Sequence, residues 1–292
     1  MRLDSHQHFW TYNESDYDWM TSEMDVLRRN YLPFDLLPEL ISSGFDGSIS
    51  VQARRMVEET EFLLQLADQC SSIRGVVGWV DFESEQIDET LDRFASHSRF
   101  KGVRELIHDM EDVDYACSDN HIQIIGKLGS LNLTYDLLLK PPNLPSAIEL
   151  VRRFPEQKFV IDHIAKPVIT DDIFTQWREG IESLSQFENV FCKLSGMVTE
   201  ARWEQWCGAD FLPYLEIVLD AFGPTRLMIG SDWPVCLLSA SYSDTMGIVL
   251  EFIDSLSPDE QGSILGETCA EFYNVEDVTP AHQTMEMSGD LG

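Results

Sequence analysis

Near its start the chain reads Asp4-Ser5-His6-Gln7-His8, with two histidines one residue apart. In an extended strand that spacing puts both imidazoles on one face. A lone histidine is an ordinary core group, but two on one strand face after a carboxylate can ligate an ion or carry protons. Further along, polar residues stand at the ends of short apolar runs. They are Gln52, Trp79 with Asp81, Arg104, Tyr135 with Asp136, His163, Lys193 with Ser195, and Asp232 within Gly230-Ser231-Asp232-Trp233-Pro234. Each has a plainer use: Asp232 as a helix N-cap, Lys193 as partner of a surface acid, Tyr135 and Trp79 as core aromatics. Asp162, next to His163, is expected on the opposite face of its strand, serving helix packing or a loop. The coincidence carries the weight, because burying so many polar groups without a shared ligand or water network is costly.

The order of elements supplies a place where these residues can meet. Eight apolar or β-branched runs read as strands: Arg2–His8, Gly47–Gln52, Arg74–Val80, Gly102–Ile107, Leu133–Leu138, Lys158–His163, Val190–Ser195 and Leu227–Gly230. Helical patterns lie between them, at Val57–Gln69, Glu85–Ser96, Asn120–Gly129, Ser146–Arg153, Ile173–Gln186, Phe211–Phe222 and Ser243–Leu256. In the first of these, Phe62, Leu63, Leu66 and Ala67 share one face. Alternating strands and helices imply a parallel sheet with right-handed crossovers. Eight such units close most simply as an α/β (β/α)8 TIM barrel, with its chemistry at the C-terminal strand ends. The 292 residues are near the roughly 250 of one such barrel, so residues 1–275 are expected to form a single domain. The polar stretch 276–292 reads as a frayed tail. Phe9–Asn30 is a long aromatic insertion after the first strand, suited either to a functional lid or to a packed structural cap.

Several of these segments together resemble a known family. DSHQHFW, GVVGWVDFES, KGVRELI, TYDLLL, VIDHIAKP, CKLSGMVTEA and RLMIGSDWPVC, in that order, are similar to the sugar-lactonase branch of the amidohydrolase superfamily. That branch holds L-fuconolactonase- and L-rhamnonolactonase-like enzymes, with 2-pyrone-4,6-dicarboxylate lactonase as a more distant relative. The likeness runs from Arg2 to Asn274. One departure is Cys269-Ala270 before Phe272-Tyr273, where relatives often carry Asn-Ala; it bears on a local cap.

The resemblance implies a hydrolase that opens an intramolecular ester, acting on a small-molecule lactone in carbohydrate catabolism. It matches His6 and His8 to the paired histidines, His163 to the sixth-strand histidine, Asp232 to the eighth-strand aspartate and Arg104 to a substrate-contacting arginine. A binuclear site is not expected, since strand four offers Arg104, which cannot ligate, and strand five offers Tyr135 in place of a histidine. Two options stay open: no required cofactor, or one divalent ion (zinc or similar) on His6, His8, His163 and Asp232. Without metal, Asp232 acts as general base toward water. His6, His8 and His163, with Arg104 or Lys193, then stabilise the oxyanion. Gln52, Tyr135, Trp79 and Trp233 are expected to line the sugar. The competing readings are a metal-dependent decarboxylase or amide hydrolase of the same superfamily, and a non-catalytic barrel that binds a sugar acid.

Composition narrows the partners. The chain has 20 basic and 51 acidic residues, a net charge of −31. Such a surface repels nucleic acid and anionic membranes. At 43% hydrophobic residues the chain is globular rather than an acidic disordered tail. The six cysteines show no CxxC spacing and read as reduced thiols. The first residues lack a signal-peptide stretch and no apolar run approaches the roughly 20 residues of a membrane span, so the cytoplasm is the expected location. A homo-oligomer is compatible with all of this. Only six of the basic residues are lysines. Acid-rich, lysine-poor surfaces suit high salt, where screening removes self-repulsion. The melting temperature is therefore expected to rise from low to molar salt; a flat profile would leave the acidity as a solubility device alone.

Overall fold

The structure is a computed structural model, and it describes residues 1–169, 175–203 and 205–276. Eight strands form one parallel sheet in sequential order: β1 Leu3–Gln7, β2 Gly47–Val51, β3 Ile73–Gly78, β4 Phe100–Glu105, β5 Thr134–Leu137, β6 Phe159–Ile161, β7 Val190–Leu194 and β8 Leu227–Ile229. Each is followed by a helix: α1 Pro33–Ser42, α2 Val57–Gln69, α3 Ile87–Ala95, α4 Asp119–Leu128, α5 Leu144–Arg153, α6 Thr175–Leu184, α7 Leu212–Phe222 and α8 Tyr242–Ile253. Two short helices, α9 Pro258–Gly262 and α10 Thr268–Phe272, come last. This is the (β/α)8 barrel that the alternation of patterns predicts. Among the described residues no helix is long and apolar enough to cross a membrane, and all six cysteines are free.

The strands are almost wholly buried because both faces are covered, as a parallel sheet requires. The larger cluster fills the space between strands and helices. A smaller one joins Leu3, Ile49, Val77, Val160 and Met228 from five strands with Phe272 and Tyr273 from the chain's last helical turn. That turn stoppers the N-terminal end of the barrel, leaving the C-terminal end open. The pairing of β1 with β2 slips between Asp4 and Gln7. Leu3 and His6, three residues apart, therefore both face the interior, which strict alternation forbids.

The insertion after β1 is a packed cap. Trp10 pairs with Tyr31 through backbone bonds of 2.9 and 3.0 Å, and its indole N–H donates to the Arg29 carbonyl at 2.9 Å. Trp10 and Tyr17 are buried, while Trp19 and Met24 reach the cavity described below. The expected tail, from residue 277 onward, lies outside the described residues.

One carboxyl governs the turn from β2 to α2. Glu59 accepts the N–H groups of Ala53 and Arg54 at 3.0 and 2.9 Å. Burial nevertheless pushes its pKa up to about 7. A carboxyl that titrates higher when folded holds its proton more tightly in the folded state. Its favourable contribution is complete below its unfolded pKa and disappears as pH rises through about 7. Melting curves should show the wild type losing stability relative to Glu59→Gln between pH 5 and 8, by about 2 kcal/mol. A constant gap between the two would remove Glu59 as the cause.

Candidate functional site

The open end is organised by the seam that joins β8 to β1. The Asp232 N–H donates to the His6 carbonyl at 2.8 Å, and the His8 N–H to the Trp233 carbonyl at 2.7 Å. These two bonds set the aspartate against the histidine pair. Asp232 Oδ1 lies 3.2 Å from His8 Nε2, 3.7 Å from His163 Nε2 and 3.9 Å from His6 Nε2. Four groups spread over 227 positions of sequence thus meet at one carboxylate oxygen, as the strand-end pattern predicts.

The other ring nitrogens are held from behind. His8 Nδ1 is 2.8 Å from the Val51 carbonyl, which can only accept, so Nδ1 carries the proton and Nε2 presents its lone pair or a second proton. Arg104 Nη1, which can only donate, lies 3.2 Å from His6 Nε2. His6 Nδ1 lies between an acceptor and a donor, 3.3 Å from Asp162 Oδ1 and 3.1 Å from Lys193 Nζ. His163 Nδ1 meets the Ser195 hydroxyl at 2.9 Å. Burial lowers the pKa values of His6 and His163 well below the usual histidine range, so both are neutral. Burial opposes the charge on Asp232, but His163, His8 and Lys166 outweigh it and keep its carboxyl below the ordinary range. The site holds an ionised carboxylate ringed by imidazole nitrogens.

This donor set fits one divalent cation. His6, His8 and Asp232 offer ligand atoms within 4.8 Å of one another. The 3.2–3.9 Å separations from Asp232 Oδ1 bracket the edge of a tetrahedron with zinc-like arms, about 3.3–3.4 Å. The partners behind each ring are the usual orienting groups of metal-bound histidines. A lone pair of His8 facing a carboxylate oxygen at 3.2 Å needs a proton or a cation between them.

Behind the histidines lies a charged floor. Arg104 pairs with Asp162 Oδ2 at 3.0 Å and with the side-chain and backbone oxygens of Gln52. Lys193 Nζ lies 2.5 Å from Asp136 Oδ2, 2.9 Å from Asp162 Oδ1 and 3.1 Å from His6 Nδ1. A cavity of about 310 Å³ opens above, walled by His8, Arg104, His163 and Asp232 on one side and by Lys166, Glu200, Trp19 and Trp203 elsewhere.

Several residues sit elsewhere than expected. Asp162 points inward, as alternation from the inward Val160 requires; His163 faces the site as well because residues 163–166 turn left-handed, with φ from 46° to 61°. On β5 it is Asp136 that faces inward; the Tyr135 hydroxyl donates outward to His121 at 2.7 Å. Trp79 donates to Glu105 at 3.0 Å, and Trp233 packs edge-on against Tyr31 beneath the cap. Gln52 and Lys193 brace Arg104 and His6 from behind. Of the residues expected to contact substrate, Arg104 alone stands on the cavity wall. Lys166 and Glu200, which do line it, lie inside VIDHIAKP and CKLSGMVTEA but carry no periodic signal of their own.

Gly196 has φ of +61°, and a Cβ there would lie 2.4 Å from His163 Nδ1. Gly196→Ala should therefore dislodge this ring and weaken zinc binding, read by calorimetric titration, by about 10- to 100-fold. Unchanged affinity would take His163 out of the donor set.

A family model described as amidohydrolase matches residues 3–275. An L-fucono-1,5-lactonase of Burkholderia multivorans is 38% identical over 284 residues, covering 94% of this chain and 96% of that protein. A second L-fucono-1,5-lactonase, from Burkholderia ambifaria, is 34% identical over 283 residues, with 94% and 96% covered. The crystal structure of an amidohydrolase from Burkholderia multivorans with bound zinc superposes at a TM-score of 0.89 with 37% identity, covering 94% of this chain and all of that one. Family model, sequence relatives and barrel agree, and the chain belongs to the amidohydrolase family.

Proposed function

We propose that the protein hydrolyses a sugar lactone, opening an aldonolactone ring to the sugar acid. The observation that carries this is the convergence of three imidazole nitrogens on Asp232 Oδ1, at 3.2–3.9 Å, on the wall of a cavity sized for a monosaccharide. Both curated relatives named above are L-fucono-1,5-lactonases, which makes a six-membered deoxy-sugar lactone the first candidate. Trp19 and Trp203 supply apolar planes for the C–H faces of a sugar ring.

In this reading Asp232 is the general base. Its carboxyl, kept below the ordinary range, is ionised at neutral pH and takes a proton from the attacking water. The lactone carbonyl oxygen gains charge as the tetrahedral intermediate forms, with His8, His163 and the Arg104 guanidinium around it. Preorganised donors of this kind contribute about 2.7–4 kcal/mol each. When the intermediate collapses, protonated Asp232 returns its proton to the departing ring oxygen, and the sugar acid remains. A modest base suffices, since an ester carbonyl is far more electrophilic than an amide. A divalent ion held by His6, His8, His163 and Asp232 would add Lewis-acid polarisation and a more acidic water.

Lactone opening releases a proton, so a pH indicator with a panel of aldonolactones tests the reading directly, L-fucono-1,5-lactone first. Asp232→Asn should lose at least about 100-fold in turnover with its melting temperature kept. Near-wild-type rates in that variant would remove Asp232 as the base, and no acid release from any lactone would overturn the assignment.

A further inference from the structure

Two charged residues of the cavity wall have no part in the proton transfers above. Lys166 Nζ and Glu200 Oε1 lie 2.5 Å apart, with side chains 15% and 19% exposed, and both border the cavity. Lys166 follows β6 and Glu200 follows β7, so the pair bridges neighbouring loops at the barrel mouth. Its position is fixed on both sides. The Lys166 N–H donates to the His163 carbonyl at 2.8 Å, which ties it to the turn that carries a site histidine, and the Ile169 N–H donates to the Glu200 carbonyl at 2.9 Å.

We propose that Lys166 and Glu200 determine specificity by reading adjacent hydroxyl groups of a neutral lactone, an inference that rests on the lactonase reading. One ammonium N–H and one carboxylate oxygen are spent on each other. Among the described residues nothing else pairs with the remaining N–H groups or the second oxygen, which a ligand can use. A hydroxyl both donates and accepts, so two neighbouring hydroxyls match the pair in either order. A carboxylate substituent matches it poorly. Among the described residues the cavity wall holds two residues that are always cations, Arg104 and Lys166, and each already faces a carboxylate. An anionic substrate would find no free positive charge there and would meet Glu200. The pair therefore favours polyhydroxylated lactones over carboxylated ones and over plain lactones alike. A site built to hydrogen-bond hydroxyls discriminates strongly against analogues lacking them, because its own polar groups are left unmatched.

The test compares kcat/KM for L-fucono-1,5-lactone and for unsubstituted δ-valerolactone, in the wild type and in Lys166→Met, Glu200→Leu and the double variant. The wild type should favour the hydroxylated ring by about 100-fold or more. Each single variant should lower that ratio by about 10-fold, and the double variant little further, since the two act as one unit. Glu200→Gln, which keeps the volume and an acceptor, should hold more of the ratio than Glu200→Leu, a gradation that loss of folding cannot produce. A ratio within twofold of wild type in the single variants, or a wild type that prefers δ-valerolactone, overturns the inference and leaves lactone hydrolysis standing. A wild type that opens neither ring overturns both.

Discussion

The site depends on the closure of the barrel between its last strand and its first. That seam is set by Asp4, which lies behind it and points away from the cavity. One Asp4 oxygen accepts the N–H groups of Ser231 at 2.9 Å and His6 at 3.1 Å. The other accepts the Ser231 hydroxyl at 2.6 Å and the Tyr242 hydroxyl at 3.2 Å. One carboxyl thus ties β1, the loop after β8 and α8. Burial pushes its pKa up to about 6 in spite of these four bonds. Asp232 takes a positive φ of 56° in this loop, a conformation that Asp tolerates better than most residues. It turns its carboxyl over the histidines while its N–H stays in the seam. The same bonds that close the barrel build the site.

Burial keeps His6 and His163 neutral, and the charged floor beneath them is internally paired. Arg104, Lys193, Asp136 and Asp162 are each at most 2% exposed. Such charges are tolerated inside only when paired. Burial works against the ammonium of Lys193, but Asp136 and Asp162 outweigh it and raise its pKa. Two cations and two carboxylates cancel beneath His6, so Asp232 is the carboxylate left among the histidines. Removing one partner from such a set leaves its neighbour uncompensated at a cost of about 3–5 kcal/mol. The floor therefore has to be kept whole: Lys193, Asp136 and Asp162 serve the site by position, while Arg104 also reaches the cavity wall.

How far the sequence reveals this follows from which rules hold locally. The barrel is legible because eight apolar runs alternate with amphipathic ones, and strand order follows from right-handed crossovers. His6, His8, His163 and Asp232 are legible because each ends a run. Period-2 reasoning fails where the backbone leaves the strand. The slip between Asp4 and Gln7 and the left-handed turn that begins at His163 each shift which residue faces inward; alternation from Val160 puts Asp162 inside, and reading His163 as a strand residue is what assigns Asp162 to the wrong side. On β5 the alternation holds, but both Tyr135 and Asp136 are plausible inward groups, and only the partner of Tyr135, His121 on α4, decides between them. Trp79 and Trp233 carry no mark separating a core indole from one that lines a cavity. The pairing of Lys166 with Glu200 joins two loops, and no local pattern announces it.

The turn from His163 to Lys166 shows why such a departure is worth keeping. Four successive non-glycine residues with positive φ cost about 1–2 kcal/mol each, and the surroundings must impose them. Lys166 N–H closes the turn on the His163 carbonyl, the Trp177 indole donates to the Ile164 carbonyl at 2.6 Å, and the bare Cα of Gly196 leaves room for the His163 ring. A relaxed loop could reach the same positions only as one conformer among many, and would lose that freedom each time a ligand bound. The fold bears the strain once, on closing. In return it presents a site imidazole and a cavity-wall ammonium from a single rigid turn, at a spacing that binding does not have to organise.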